Sequence, residues 1–272
     1  MLPVSAANSS GQLPQLPTLP QSAAGLRALV DASLPELGLV LTSAQIDTLL
    51  AYLDLISKWT RVYNLTAVRD PVDMVTHHLL DCLAAMAPLA AHLEAVRHMT
   101  LRTAAPEPVR DLIPMAGTMA GQGIRLLDVG SGAGLPGVVI AICFPDVTVS
   151  CVDTVAKKAA FIKQVALALK LPNLIGLHAR VEALAAPGAA PFDIICSRAF
   201  ASLVDFTQWS SGALAPAGVW MAMKGKRPDD EMAALPQGID VFHVEQLKVP
   251  ALDAERCIVW MRKRASQADL AS

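Results

Sequence analysis

The sequence predicts a doubly wound α/β fold, a mostly parallel seven-stranded sheet with a small helical unit at its N-terminal side. Three observations carry that reading. From Arg125 to Lys263, short runs rich in Val, Ile and Leu alternate with helical stretches, the β-α-β rhythm of a parallel sheet. The first of these runs enters Gly130-Ser131-Gly132-Ala133-Gly134-Leu135-Pro136-Gly137, where glycine admits positive φ and lets a ligand approach the backbone. The second run closes on Asp153, an acid at the carboxyl end of a strand, where such sheets bind nucleotides.

In chain order, residues 1–22 are rich in Pro, Ser, Gln and Ala and read as a disordered tail. Residues 23–93 read as a helical unit. Ser43 is the expected N-cap of a helix from Ala44 to Arg61, with Ile46, Leu49, Leu50, Leu53 and Ile56 on one face. A polar loop, Tyr63 to Pro71, leads into a helix begun by Asp70 or Pro71 that carries His77, His78 and Asp81 and runs to about His92. Residues 94–123 mix Met, Pro, Gly, Thr and Arg without a period and read as an inserted loop. The core, 124–264, follows. Its strands are expected at 125–129, 147–152, 174–178, 192–197, 218–224, 241–248 and 257–263, with helices at about 136–143, 156–169 and 202–214. Residues 265–272 form a second tail.

Composition narrows the function. Of 272 residues, 53% are hydrophobic and 4% aromatic, so aliphatic side chains must build the core. A net charge of −2 argues against coating nucleic acid by bulk charge, though not against a local basic groove. None of the five cysteines forms a C-x-x-C pair, so neither a disulfide framework nor a metal site is expected, and the chain reads as cytoplasmic. The N-terminus lacks a secretory pattern, and the apolar run 137–144 is far short of the ~20 residues that span a bilayer.

The glycine loop is not the G-x-G-x-x-G dinucleotide pattern, since Gly134 comes one residue early, and no Walker lysine follows it. Asp128 at the loop would repel a phosphate and attract an amino group. Asp153 can accept both hydroxyls of a ribose or cap the helix that follows. These features suit a nucleoside bearing an amino acid, as in S-adenosylmethionine.

Four segments then carry a closer likeness: Tyr63-Asn64-Leu65-Thr66-Ala67-Val68-Arg69-Asp70-Pro71; the Asp128 to Gly137 loop with its Gly-Leu-Pro-Gly ending; Ser197 to Leu203; and Met223-Lys224-Gly225 with Val249 to Arg256. Over about residues 40–93 and 124–263 the chain resembles the bacterial 16S rRNA guanine-N7 methyltransferases, the RsmG or GidB family. The resemblance implies a class I, Rossmann-like methyltransferase with S-adenosylmethionine as donor. By position it assigns Gly130 and Leu135 to cofactor contact from the loop, Val181 and Glu182 to flanking the adenine, and Arg198 to completing the pocket. It departs at His77, where the family commonly has Arg or Lys, and in the longer 97–123 stretch.

Guanine N7 offers a lone pair and loses no proton on methylation, so no catalytic acid-base residue is expected; positioning should suffice. The expected partner is 16S rRNA or the small ribosomal subunit. Expected RNA contacts are Asn64, Arg69, His78, Arg198 and Lys224, with Arg61, His77, Lys226 and Arg227 as further candidates. The chain is expected to act as a monomer. A regulatory module that binds a nucleoside without transferring a group would share the same fold and is the competing reading.

Overall fold

The structure is a computed structural model that describes residues 22–103, 123–198, 200 and 202–264. The two expected tails and residues 104–122 of the expected insertion lie outside the described residues, apart from Ser22.

Helix α1 (Ala23–Ser33) is capped by the Ser22 hydroxyl, which accepts from the Gly25 amide. Helix α2 (Ser43–Tyr63) begins one residue earlier than expected. Thr42, not Ser43, is its N-cap, and Gln45 closes a reciprocal capping box with it. Asn64 ends α2 in the left-handed conformation at φ 52°, which asparagine tolerates better than most residues. Helix α3 (Pro71–Met74) opens on the Asp70 carboxylate, which accepts from the Val72 and Asp73 amides. A π-helical turn, Val75–Leu80, then widens the helix before α4 (Asp81–Leu83). Helix α5 (Met86–Thr103) runs on where an ending near His92 was expected; Arg97, placed by the sequence in the loop, sits inside it and pairs with Asp146.

Pro71–Arg97 is long and apolar enough to cross a membrane by length and composition. Its Val75, Leu79, Leu80, Leu83, Met86, Leu89 and Leu93 are instead buried in the core, and that packing accounts for its composition.

The sheet has the order β3-β2-β1-β4-β5-β7-β6, from β1 (Arg125–Val129), β2 (Thr148–Asp153), β3 (Leu174–His178), β4 (Phe192–Arg198), β5 (Leu214–Lys224), β6 (Ile239–Leu247) and β7 (Arg256–Lys263). All neighbours are parallel except β7, which runs antiparallel to both β5 and β6. Alternation sorts the two faces. Leu126, Ile194, Met221 and Ile258 point toward the N-terminal helices, α6 (Gly137–Cys143) and α7 (Ala156–Ala168). Leu127, Ile195, Trp220 and Val259 point toward α8 (Leu203–Ser210). A single-turn helix, α9 (Asp229–Ala233), completes the order.

The two largest boundary differences in the core have one reason. The helix expected to reach Leu214 stops at Ser210, and β5 starts at Leu214 rather than Gly218. Leu214 pairs with Phe192, then the register jumps so that Val219 pairs with Ile194. Pro216, which cannot donate to a ladder, falls in the residues between.

The helical unit is bound into the same core. A single buried cluster runs from Leu29 through Leu49, Ile140 and Ile162 to Trp260. Its polar tie is Tyr52, fully buried, whose hydroxyl donates to the Ala133 carbonyl of the glycine loop at 2.6 Å. Tyr52→Phe should therefore lower stability by about 1–2 kcal/mol, because a buried carbonyl loses its donor. Urea unfolding of the two proteins checks this; equal midpoints would contradict it.

Candidate functional site

Two cavities open along the carboxyl edge of the sheet, on either side of the point where the strand order reverses between β1 and β4, the usual ligand crevice of such sheets. The first lies over β1–β3. It has a volume of about 390 Å³ and is lined by Val129, Gly130, Val152, Asp153, Lys158 and Val181, with Thr154, Val155, Ala179, Arg180, Glu182 and the rings of Phe200 and Trp209. The volume falls in the range of small-molecule sites. Phe200 and Trp209 meet edge to face, centroids 5.6 Å apart, as one wall.

The loop that floors this cavity is held by carboxylates. Gly130, Gly132 and Gly134 all have positive φ. The Asp153 carboxylate accepts from the Gly132 amide at 3.0 Å and from the Val155 amide at 2.8 Å, and Lys158 lies 3.6 Å away. It does not cap α7, whose N-cap is Val155. Each carboxylate oxygen keeps a lone pair for a further donor. Asp128 is fully buried beneath the loop. Its Oδ2 accepts from the Gly137 amide at 2.9 Å, and its Oδ1 meets no partner among the described residues. Burial pushes its carboxyl up to about 7, with Asp153 adding to the rise; the Gly137 amide and Arg198 oppose it.

A nucleoside fits this cavity. An aromatic and valine-lined space could hold a base, the Asp153 oxygens could accept from a ribose diol, and Gly130 keeps the floor open: a Cβ there would stand 3.1 Å from the Phe200 ring.

The second cavity, about 370 Å³, lies over the ends of β4, β5 and β6 and the start of β7. His77, His78, Asp81, Arg198, Met223, Lys224, Gly225 and Arg256 line it, with Leu247 and Cys257. Arg198 Nη1 donates to Asp81 Oδ2 at 2.9 Å and to the His77 carbonyl at 3.0 Å. Arg256 Nε donates to Asp81 Oδ1 at 2.5 Å. Lys224 pairs with Glu231 at 2.8 Å.

Of the residues the sequence singled out for the cofactor, Gly130, Asp153, Val181 and Glu182 meet in the first cavity. Leu135 does not. It is buried under the loop, and its neighbours are core side chains. Arg198 does not either; Asp81 and the His77 carbonyl draw it into the second cavity. Of the expected RNA contacts, Arg198, His78 and Lys224 line that second cavity. His78 is buried there, its Nε2 2.8 Å from the Thr66 hydroxyl. Burial, with Arg198 nearby, lowers its pKa, so its ring ties down the 63–71 loop rather than offering a charge. Asn64 and Arg69 line neither cavity. They bond to each other at 2.7 Å, and Arg69 also reaches the Thr60 carbonyl.

Sequence reasoning assigned no role to Asp81, Arg256, Phe200 or Trp209. Asp81 and Arg256 stood inside noted segments, but their pairing crosses most of the chain. No group of three or more His, Cys, Asp or Glu placed to hold a metal occurs among the described residues.

The strand order with antiparallel β7, the glycine loop after β1 and the acid at the end of β2 define a class I S-adenosylmethionine-dependent methyltransferase. A profile of the family described as rRNA small subunit methyltransferase G matches residues 45–99 and 102–259. The chain is 63% identical over 239 residues to the ribosomal RNA small subunit methyltransferase G of Polaromonas sp. (strain JS666), covering 88% of this chain and 94% of that one. It is 57% identical over 243 residues to the protein of the same name from Paracidovorax citrulli, covering 89% and 92%. Among solved structures, TrmN from Thermus thermophilus aligns with 52% of this chain and 44% of its own at 22% identity and a TM-score of 0.43. The chain belongs to the rRNA small subunit methyltransferase G family. The competing reading, a binding module without transfer activity, finds no support among these relatives.

Proposed function

We propose that this enzyme, an S-adenosylmethionine-dependent methyltransferase of small-subunit 16S rRNA, methylates N7 of a guanosine, with the cofactor's nucleoside in the first cavity and the RNA entering over the second. The observation that carries this is the division of the sheet edge. A nucleoside-sized cavity with two acids, two cationic side chains and two aromatic rings stands on one side of the strand reversal, and a cavity with three cationic side chains and one acid, lacking aromatic rings other than His77 and His78, stands on the other.

S-adenosylmethionine, when bound, supplies a methyl group made electrophilic by a sulfonium. The chain's part is to bind, orient and exclude water. Asp153 is suited to a ribose diol, Val181 and Glu182 to the rim of the adenine, and Gly130 to close approach of the ligand to the backbone. Asp81, the one carboxylate lining the second cavity among the described residues, is already engaged by two guanidinium groups, and His78 Nε2 is occupied by Thr66. These two groups are committed, and N7 of guanine, which carries a free lone pair, needs no base. Catalysis then rests on alignment at near-attack distance.

The finer parts of the reading are that the enzyme is a cytoplasmic monomer. The edge strand β6 carries Asp240 and Glu245, charges of the kind that discourage strand pairing between copies.

Small-subunit particles lacking the modification, incubated with methyl-labelled S-adenosylmethionine, should acquire label in the rRNA at a guanosine that becomes sensitive to N7-specific strand cleavage. Label that resists this cleavage would reject N7. No label from protein that binds the cofactor would reject the RNA substrate.

A further inference from the structure

Asp81 opens α4 at a break in regular α-helical geometry. The π-helical turn Val75–Leu80 precedes it directly, and such turns are rare and concentrate at functional sites. Within this turn the His77 carbonyl accepts from Arg198, and Asp81 is then turned inward, 4% exposed. Its two oxygens divide between two arginines from distant strands, one at the end of β4 and one at the start of β7.

Stability does not explain this arrangement well. Buried ion pairs are often no better than apolar packing of the same volume. The trio also does not neutralise itself: two guanidinium groups against one carboxylate leave a single positive charge. Arg198 and Arg256 are 22% and 25% exposed, so the excess charge stands at the cavity mouth. Arg198 spends Nη1 on Asp81 and the His77 carbonyl, and Arg256 spends Nε on Asp81 and Nη1 on the Glu255 carbonyl. Each guanidinium has five N–H donors in a rigid fork suited to an oxyanion.

We propose that Asp81 is a positioning residue that holds Arg198 and Arg256 side by side as a clamp for a phosphodiester of the RNA next to the target guanosine. This rests on the reading that the second cavity faces RNA. The same fork could take the carboxylate of the cofactor's amino acid. The clamp's place over β4–β7, away from the nucleoside cavity over β1–β3, favours the RNA.

The test compares Arg256→Gln, Arg256→Lys, Asp81→Asn and Asp81→Glu with the wild type. Cofactor affinity is read by calorimetry. KM and kcat are read with unmodified small-subunit particles, and binding of an rRNA fragment is read from 50 to 200 mM salt. Arg256→Gln should raise KM for the particle about tenfold, more than it lowers kcat, and reduce the slope of log affinity against log salt by about 1. Its cofactor affinity should stay as in the wild type. Arg256→Lys should fall between, keeping the charge without the fork. Asp81→Asn should shift KM the same way, and Asp81→Glu should recover part of the loss. A wild-type KM and salt slope in Arg256→Gln overturn the proposal. So does a tenfold loss of cofactor affinity with RNA binding intact, which would give the clamp to the cofactor. Should Asp81→Asn fail to fold, the two Arg256 variants decide the matter. A wild type that binds the cofactor but never methylates the particle rejects the RNA-methylation reading, while the salt slopes still judge the clamp.

Discussion

Gly130→Trp abolishes cofactor binding measurable by calorimetry, a loss expected to exceed about 100-fold. Two effects add at this position. Gly130 holds φ 66°, and a non-glycine residue in the left-handed region costs about 1–2 kcal/mol. The larger effect is occlusion: the first atom of any side chain meets the Phe200 ring at 3.1 Å, and an indole beyond it enters the cavity that Gly130 lines. Gly38 supplies the control. It has φ 64°, and nothing stands within 4 Å of a Cβ built there. Gly38→Trp should therefore carry the same backbone strain and bind the cofactor as the wild type does. Equal affinity in both variants would place the cofactor elsewhere.

The second large effect is on stability against pH, through Asp128. Burial, partly opposed by the Gly137 amide and Arg198, raises its carboxyl from 3.8 in the unfolded chain to about 7 in the fold. The folded state therefore binds this proton more tightly than the unfolded state. Its contribution to stability is complete below about pH 3.8, declines as pH rises, and is gone above about pH 7. A shift of this size corresponds to roughly 4 kcal/mol across the window. Asp128→Asn keeps an acceptor for the Gly137 amide and has no proton to lose. Its stability relative to the wild type should rise between pH 4 and pH 8 by an amount approaching that figure, read from urea unfolding without cofactor. A constant difference across this range would contradict the assignment.

What the sequence discloses follows from the range of the interactions. Strands β1 and β3 were legible to the residue because their apolar runs and flanking turns are local signals. The glycine loop was legible because only glycine suits three positive φ angles in five residues. The start of β5 was not, because Ala215-Pro216-Ala217-Gly218 reads as a turn and only pairing of Leu214 with Phe192 makes it strand. The end of α5 was hidden in a stretch without period, where tertiary pairing of Arg97 with Asp146 lends support. Helix α9 is a single turn begun by three acids, too short to register as a pattern. On the side of the first cavity, Gly130 and Asp153 followed from the strands in order, whereas Val181 and Glu182 were named only through the family resemblance; all four line that cavity. The other side was not legible. Arg198 was noticed, but what it touches comes from Asp81, 117 residues away.

The position of β7 has a consequence for synthesis. The last strand among the described residues is inserted between β5 and β6, and it brings Arg256 to an aspartate that precedes it by 175 residues. At about 5–20 residues per second on the ribosome, Asp81 emerges roughly 9–35 s before its second arginine. The nucleoside cavity is complete in sequence by Trp209, whereas the cationic cavity awaits the final strand. A nascent chain thus completes the lining of the first cavity, which ends at Trp209, well before that of the second, which needs Arg256 and Cys257.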